Sequence, residues 1–297
     1  MANAALLETR SVLAITGADT RPFLQGLISN DVTKVTPTHA IWAALLTAQG
    51  KWLHDFFVTE VDGALLLEAE RDRLPDLGKR LRLYKLRSQI DIAPRDDLAV
   101  AALWPESALD ALGLAHAPGA AAPRPGGVVH VDPRLARLGA RAVVPRADLD
   151  ATLAGFERAP VADYDRLRLS LGVPDGSRDF VAEKSILLEN GVDELNGVDW
   201  KKGCYVGQEL TARTKYRGLI KKRLMPVGID GPLPAPGTLV MLGTREAGEM
   251  RSAADGIGLA LLRLEMVDAA ALEGEPLRAG DATLRVQRPD WMKIEPA

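Results

Sequence analysis

Residues 199–218 read DWKKGCYVGQELTARTKYRG, and the reading of this stretch decides how the rest of the chain is understood. The sole cysteine, Cys204, lies between Gly203 and Gly207 and follows Lys201 and Lys202. Glycines let a backbone take unusual dihedrals or approach a partner closely, and neighbouring ammonium groups favour a thiolate. The setting therefore suits an exposed, activated thiol. A small buried hydrophobe is the other reading, and it is the ordinary fate of a lone cysteine.

Outside this stretch the bulk numbers are those of a globular chain. At 297 residues, with 47% hydrophobic and 26% charged side chains, it exceeds the size at which one core stops growing, so two or three domains are expected. The formal charge of -3 gives no whole-chain positive field for nucleic acid or an anionic membrane. One cysteine excludes an intrachain disulfide and cannot alone supply the four sulfur ligands of an iron-sulfur cluster, so it needs ligands from outside. His39, His54, His116 and His130 are scattered, without the spacing of a resident zinc site. The opening MANAALLETR lacks an export signal, and apolar runs such as Ala40 to Leu46 fall far short of the roughly 20 residues that cross a bilayer. A cytoplasmic protein is expected. Gly256-Ile257-Gly258 lacks the third glycine of a dinucleotide fingerprint, and no Walker loop or internal repeat occurs.

Local patterns predict a strand-rich opening over residues 11–15 and 41–69, with Asp62-Gly63 as a hairpin turn. Phe23, Leu24, Leu27 and Ile28 predict a short helix within Asp19 to Asn30. Leu74, Leu77, Leu81 and Tyr84 predict a surface helix over Asp72 to Leu86 with a solvated basic face. Strands follow at Ile90 to Ala93, Leu98 to Leu103 and Gly127 to Val131, with a short helix at Glu106 to Leu112. The Pro-, Gly- and Ala-rich stretch His116 to Gly127 reads as a loop. After Arg223 the segments GTLVMLG, GIGLALLRLE and ATLRVQ predict a small β-barrel.

The string Lys202-Gly203-Cys204-Tyr205-Val206-Gly207-Gln208-Glu209, with Ala212-Arg213 and Lys215-Tyr216-Arg217-Gly218 after it, resembles the signature of the YgfZ-type folate-binding family. Ile15-Thr16-Gly17, Phe23-Leu24-Gln25-Gly26, Asn30-Asp31, Leu45-Leu46-Thr47, Gln49-Gly50 and Arg168 with Gly172-Val173-Pro174 agree with it. The resemblance thus covers most of the chain, residues 70 to 160 adding only general pattern. It implies an α+β fold similar to the T-protein (aminomethyltransferase) of the glycine cleavage system. That fold has three domains in a ring around a tetrahydrofolate site, with ferredoxin-like α/β domains and a C-terminal β-barrel. The implied domains are residues 1–50 plus 150–225 for a discontinuous folate-binding domain, 51–149 for a second α+β domain, and 226–297 for the barrel.

The resemblance also implies a role in iron-sulfur cluster assembly or repair, with Cys204 at a transfer or redox step. Folate and iron-sulfur client or assembly proteins are the implied partners, with no permanently bound metal. Asn30, Asp31, Arg168, Lys202, Tyr205, Gln208, Glu209 and Arg213 are the implied folate-binding residues. From Lys201 to Arg223 eight basic residues stand against Glu209, a local balance of +7 that suits a folate tail, an anionic partner or RNA phosphates, or a plain solvated face. Only Tyr205 and Tyr216 interleave with it, which gives little support to sequence-specific RNA recognition.

Two positions depart from the pattern. T-proteins carry two adjacent acids for proton handling where this chain has His54-Asp55, so Asp55, or His54 as a base, is the candidate acid-base group. The family glutamate before the Gly-x-Pro turn is Ser170, a weaker acceptor for a donor-rich pterin edge, with Glu183 and Glu189 as substitutes. Three functions stay open at this level. The first is a tetrahydrofolate-binding accessory factor for iron-sulfur proteins. The second is a tetrahydrofolate-dependent aminomethyltransferase, and the third is a non-catalytic scaffold docking partners through residues 201–223.

Overall fold

Strands Arg10–Thr16, Ile41–Leu46, Trp52–Val61, Ala64–Glu70 and Asp91–Pro94 form one five-stranded sheet in a computed structural model that describes residues 2–218 and 220–293. Asp62 and Gly63 take positive φ angles of 50° and 79°, the requirement of the predicted hairpin turn, and Val61 pairs with Ala64 across it. Ile41–Leu46 lies next to Trp52–Val61, and Arg10–Thr16 pairs with Ala64–Glu70. The domain boundary expected at residue 50 therefore falls inside this sheet. It is corrected because backbone pairing ties strands from both sides of that position.

Helix Thr20–Gln25 is shorter than the apolar spacing suggested, and Leu27 and Ile28 reach the core from the turn that follows. Helix Leu74–Lys85 buries Leu74, Leu77 and Leu81, while Tyr84, expected on the same face, is exposed at the helix end. A second, six-stranded sheet runs in the order Glu157–Arg158, Asn3–Leu6, Leu98–Trp104, Ala140–Pro145, Gly127–Val131, Ala121–Arg124. The last of these is an edge strand inside the stretch predicted as a loop. Pro123 is tolerated there because an edge strand has one side without ladder partners.

Both sheets belong to one compact unit, made of Met1–Leu46, Leu53–Tyr164 and Leu195–Val206. A buried charge cluster joins them. Glu68 of the first sheet accepts from Arg10 Nε at 2.8 Å and from Arg141 Nε of the second sheet at 2.9 Å. Burial alone would raise the Glu68 pKa, but the Arg141 and Arg10 guanidiniums overcome it and hold the carboxyl far below its ordinary range. The Phe57 ring lies 4.3 Å from the Arg141 guanidinium and 4.9 Å from that of Arg134, whose charge is met by Asp132 at 2.7 Å.

The second unit comprises Thr47–Trp52, Asp165–Glu194 and Gly207–Ala297. It contains the predicted barrel, a closed ring of six strands: Lys222–Asp230, Ile257–Arg263, Arg245–Ala254, Leu239–Leu242, Leu277–Ala279 and Ala282–Val286. Met225, Val227, Val240, Leu242, Met250 and Leu262 fill its interior. Its first strand opens at Lys222, earlier than the boundary expected at 226, because pairing with Ile257–Arg263 starts at Lys222 and Arg263.

Removing one member of a buried ion cluster leaves the others uncompensated. Glu68→Gln is therefore expected to lower unfolding free energy by about 3–5 kcal/mol in urea titrations. A loss under about 1 kcal/mol would show that the cluster does not hold the sheets together.

Candidate functional site

The segment from Asp199 to Val206 is a loop fastened at several points to residues 25–34. The Asp199 carboxylate accepts the backbone N–H groups of Lys201 at 2.6 Å and Lys202 at 2.9 Å, closing a turn on itself, and pairs with the Lys34 ammonium. The Asp199 N–H donates to the Ser29 carbonyl at 3.1 Å, and the Val206 N–H to that of Gly26 at 3.1 Å. Between these points Lys202 Nζ donates to three carbonyl oxygens, those of Gln25 at 2.9 Å, Ile28 at 2.5 Å and Asn30 at 2.9 Å. An ammonium has three donors, so this one is saturated. Burial pushes its pKa down to about 8 against the pull of Asp31 and Asp199. The Tyr205 ring lies 4.9 Å from the same nitrogen.

Cys204 sits on the open part of this loop as a free, exposed thiol, which decides against the buried reading. Its two glycines differ. A side chain at Gly203 would meet nothing within 4 Å, so close approach does not require glycine there. Gly207 has φ 82° and precedes helix Gln208–Tyr216, a conformation L-residues rarely take. The three donors of Lys202 go to backbone carbonyls rather than to the thiol. Lys201 is exposed beside Lys202.

Several other candidate residues form a chain that leads to the same loop. Asn30 is buried, donating to the carbonyls of Trp42 at 2.8 Å and Asn196 at 2.7 Å and accepting from the Asp31 N–H at 2.8 Å. Trp42 Nε1 in turn donates to Asp55 Oδ2 at 3.0 Å. Asp31 accepts from Thr33 and Gln25; burial would raise its pKa, and those hydrogen bonds hold it below the ordinary value. Alternation along strand Trp52–Val61 sends His54 the other way, where Nε2 meets Asp76 at 2.8 Å. His54 and Asp55 are therefore not a working pair.

In the second unit Arg168 is buried in a structural cluster. It bonds Asp165, Asp179 at 2.7 Å, the Val173 carbonyl and Ser252 at 3.0 Å. Ser170 is exposed and donates to the Leu167 carbonyl. Gln208 is half-buried in the first turn of its helix, and Glu209 pairs with Arg213 one turn on, both exposed. The +7 balance is also reduced by acids outside the counted segment, since Lys215 pairs with Asp193 and Arg223 with Glu194. Glu189 is the more informative acid. Its half-buried carboxylate has no hydrogen-bond partner among the described residues, and burial raises its pKa against Lys222 and Lys51. Among the described residues no three His, Cys, Asp or Glu side chains gather as a metal-ligand set.

Residues 221–294 match the family description "CAF17, C-terminal beta-barrel domain". The whole chain is 34% identical to human iron-sulfur cluster assembly factor IBA57, mitochondrial, over 96% of this chain and 84% of that protein. The mouse protein is 34% identical over 88% and 77%, and the Pyricularia oryzae homologue 31% over 92% and 75%. Among solved structures, glycine cleavage system aminomethyltransferase T from Bartonella henselae superimposes with a TM-score of 0.77 at 15% identity, over 98% of this chain and 86% of that one. The T-protein-like fold class expected from the sequence is thereby established. The cytoplasmic expectation is corrected, since these relatives are named as mitochondrial. Short apolar runs argue only against a bilayer, and an organelle interior is as aqueous as the cytoplasm.

Lys202→Met would leave three carbonyls without their donor. We expect a loss of about 1–3 kcal/mol and faster hydrogen exchange at the Asp199 and Val206 amides, read by mass spectrometry; unchanged exchange would show the loop is fixed by other bonds. For His54, burial lowers the folded pKa to about 4, while an unfolded chain titrates near ~6.5. The unfolded state thus binds the extra proton between those values. Stability is full above about pH 6.5 and falls as pH drops toward 4, by up to about 3 kcal/mol. His54→Gln should remove that part of the slope in urea titrations at pH 7 and 4.5.

Proposed function

The chain belongs to the family of the iron-sulfur cluster assembly factor IBA57, and from that premise we propose that it assists cluster assembly through the Cys204 thiol. The carrying observation is the exposed position of Cys204 on a loop fastened on both sides. A thiolate is a cluster ligand, and one cysteine supplies one of the usual four. The cluster is the cargo, and the remaining ligands come from client or assembly proteins that dock while Cys204 holds its share. Family membership supports this reading; the YgfZ-type naming and the folate clause are finer than the relatives' names.

Tetrahydrofolate remains part of the proposal because of the T-protein-like fold. Asn30 and Arg168 do not fit it, since their hydrogen bonds are committed to protein partners, whereas Asp31 commits only Oδ1, to Thr33 and Gln25, and stays a candidate. Glu189 does fit: its carboxylate would accept from pterin ring donors, and Lys51 and Lys222, whose charges act on it, would meet the carboxylates of the tail. Bound folate would supply a one-carbon carrier. Aminomethyl transfer through Asp55 has less support, because that side chain is buried against Trp42.

Cys204→Ser is expected to melt as the native protein does and yet fail to restore iron-sulfur enzyme activity to a strain lacking the protein. Full restoration would refute the cysteine role. Tetrahydrofolate titrated by calorimetry should bind the native chain and bind Glu189→Gln more weakly; no binding to the native chain would remove the folate clause and leave the cysteine one standing.

A further inference from the structure

Helix Leu74–Lys85 ends in a turn that breaks a local rule. The Ser88 N–H donates to the Lys85 carbonyl at 2.8 Å, so residues 85–88 form a hydrogen-bonded turn. Its second residue, Leu86, has φ 42° and ψ -109°, values near the first central position of a type II′ turn, which glycine dominates. For a leucine, whose Cβ crowds the backbone at positive φ, this conformation is strained. Folding recovers nothing from its side chain, which is 89% exposed.

Leu86 does not stand alone. Leu83 is 70% exposed and Tyr84 is exposed beside it, so the last helical turn and the turn after it present three large apolar groups to solvent. Five cations, Lys79, Arg80, Arg82, Lys85 and Arg87, occur between Asp76 and Asp91 with no acid among them. Arg80 is paired with Asp76 and Arg82 donates to the Ile92 carbonyl. Lys79, Lys85 and Arg87 have no ion pair among the described residues. The turn is held in place by Asp19, whose carboxylate accepts the Gln89 N–H at 2.7 Å.

We propose that Leu83, Tyr84 and Leu86, rimmed by Lys79, Lys85 and Arg87, form a docking surface for an acidic segment of a partner protein that carries an apolar side chain. The charge is complementary to such a segment, and an apolar centre with a charged rim is the anatomy of a protein interface. A membrane fits less well. A helix lying on lipid needs an apolar stripe along its length, and here the stripe of Leu74, Leu77 and Leu81 faces the core. RNA fits less well because Tyr84 is the one stacking face on this surface and the two leucines beside it offer none. The surface is independent of the Cys204 reading.

The test is fluorescence anisotropy of a labelled synthetic peptide, rich in Glu and Asp with two central leucines, against the full chain. Binding should weaken roughly tenfold in Leu83→Ser, in Leu86→Gly and in the triple variant Lys79→Gln, Lys85→Gln, Arg87→Gln, and should weaken with added salt. Leu86→Gly should melt no lower than the native protein, because glycine suits the turn, and Cys204→Ser should bind the peptide normally. Absence of binding, or equal binding by all variants, overturns the proposal. Tighter and equally variant-sensitive binding to phosphatidylglycerol vesicles or to polyuridylate also overturns it.

Discussion

The first unit depends on one carboxylate. Glu68 reaches from its strand to two guanidiniums that belong to different sheets, and the dry space it occupies would be prohibitively costly for any of the three charges alone. Phe57 adds a ring face against Arg141 and Arg134, so the cations are sandwiched as well as paired. Such a cluster constrains geometry more than it adds net stability, because hydrophobic residues of equal volume could fill the same gap. Its consequence is register. Strands Arg10–Thr16, Ala64–Glu70 and Ala140–Pro145 hold one mutual alignment, and a shift of one residue in any of them would turn its charged side chain to the opposite face.

The cysteine loop, in the same unit, is fastened to helix Thr20–Gln25 and the segment that follows it. The carbonyls of Gln25, Ile28 and Asn30 converge on one point, and a saturated ammonium occupies it. Asn30, spent on Trp42 and Asn196, keeps that segment folded back on itself. A residue nominated as a ligand contact thus acts as a brace for the loop that presents the thiol. Arg168 has the same character in the second unit, where it ties helix Val161–Ser170 to the barrel strand holding Ser252.

What the sequence made legible was short-range. The Asp62-Gly63 turn, the stripe of Leu74, Leu77 and Leu81 and the punctuated barrel strands each follow from spacing within one element. The string around Cys204 was legible as a motif, and its exposure agrees with the reading of an accessible thiol. Long-range partners were not legible, because nothing within a window around Glu68 indicates that its partner is Arg141, 73 residues away. Counting charges along the chain misled for the same reason: Lys215 and Arg223 meet Asp193 and Glu194, acids that lie before the counted segment. The tolerance of Ala121–Arg124 for Pro123 is likewise visible only once the strand is known to lie at an edge.

The letters of the motif now divide by physical role. Lys202 supplies three donors from one atom, which no other side chain of similar reach does without a rigid fork. Val206 donates its backbone N–H to Gly26 and packs against the core of the first sheet. Gly207 supplies the positive φ that starts helix Gln208–Tyr216. These three fix the backbone two residues to either side of Cys204 and close after it, so the thiol is presented by a loop that has already lost most of its freedom. A segment restrained in this way has little conformational entropy left to lose. Gly203 stands apart from these three, with open space where a side chain would be.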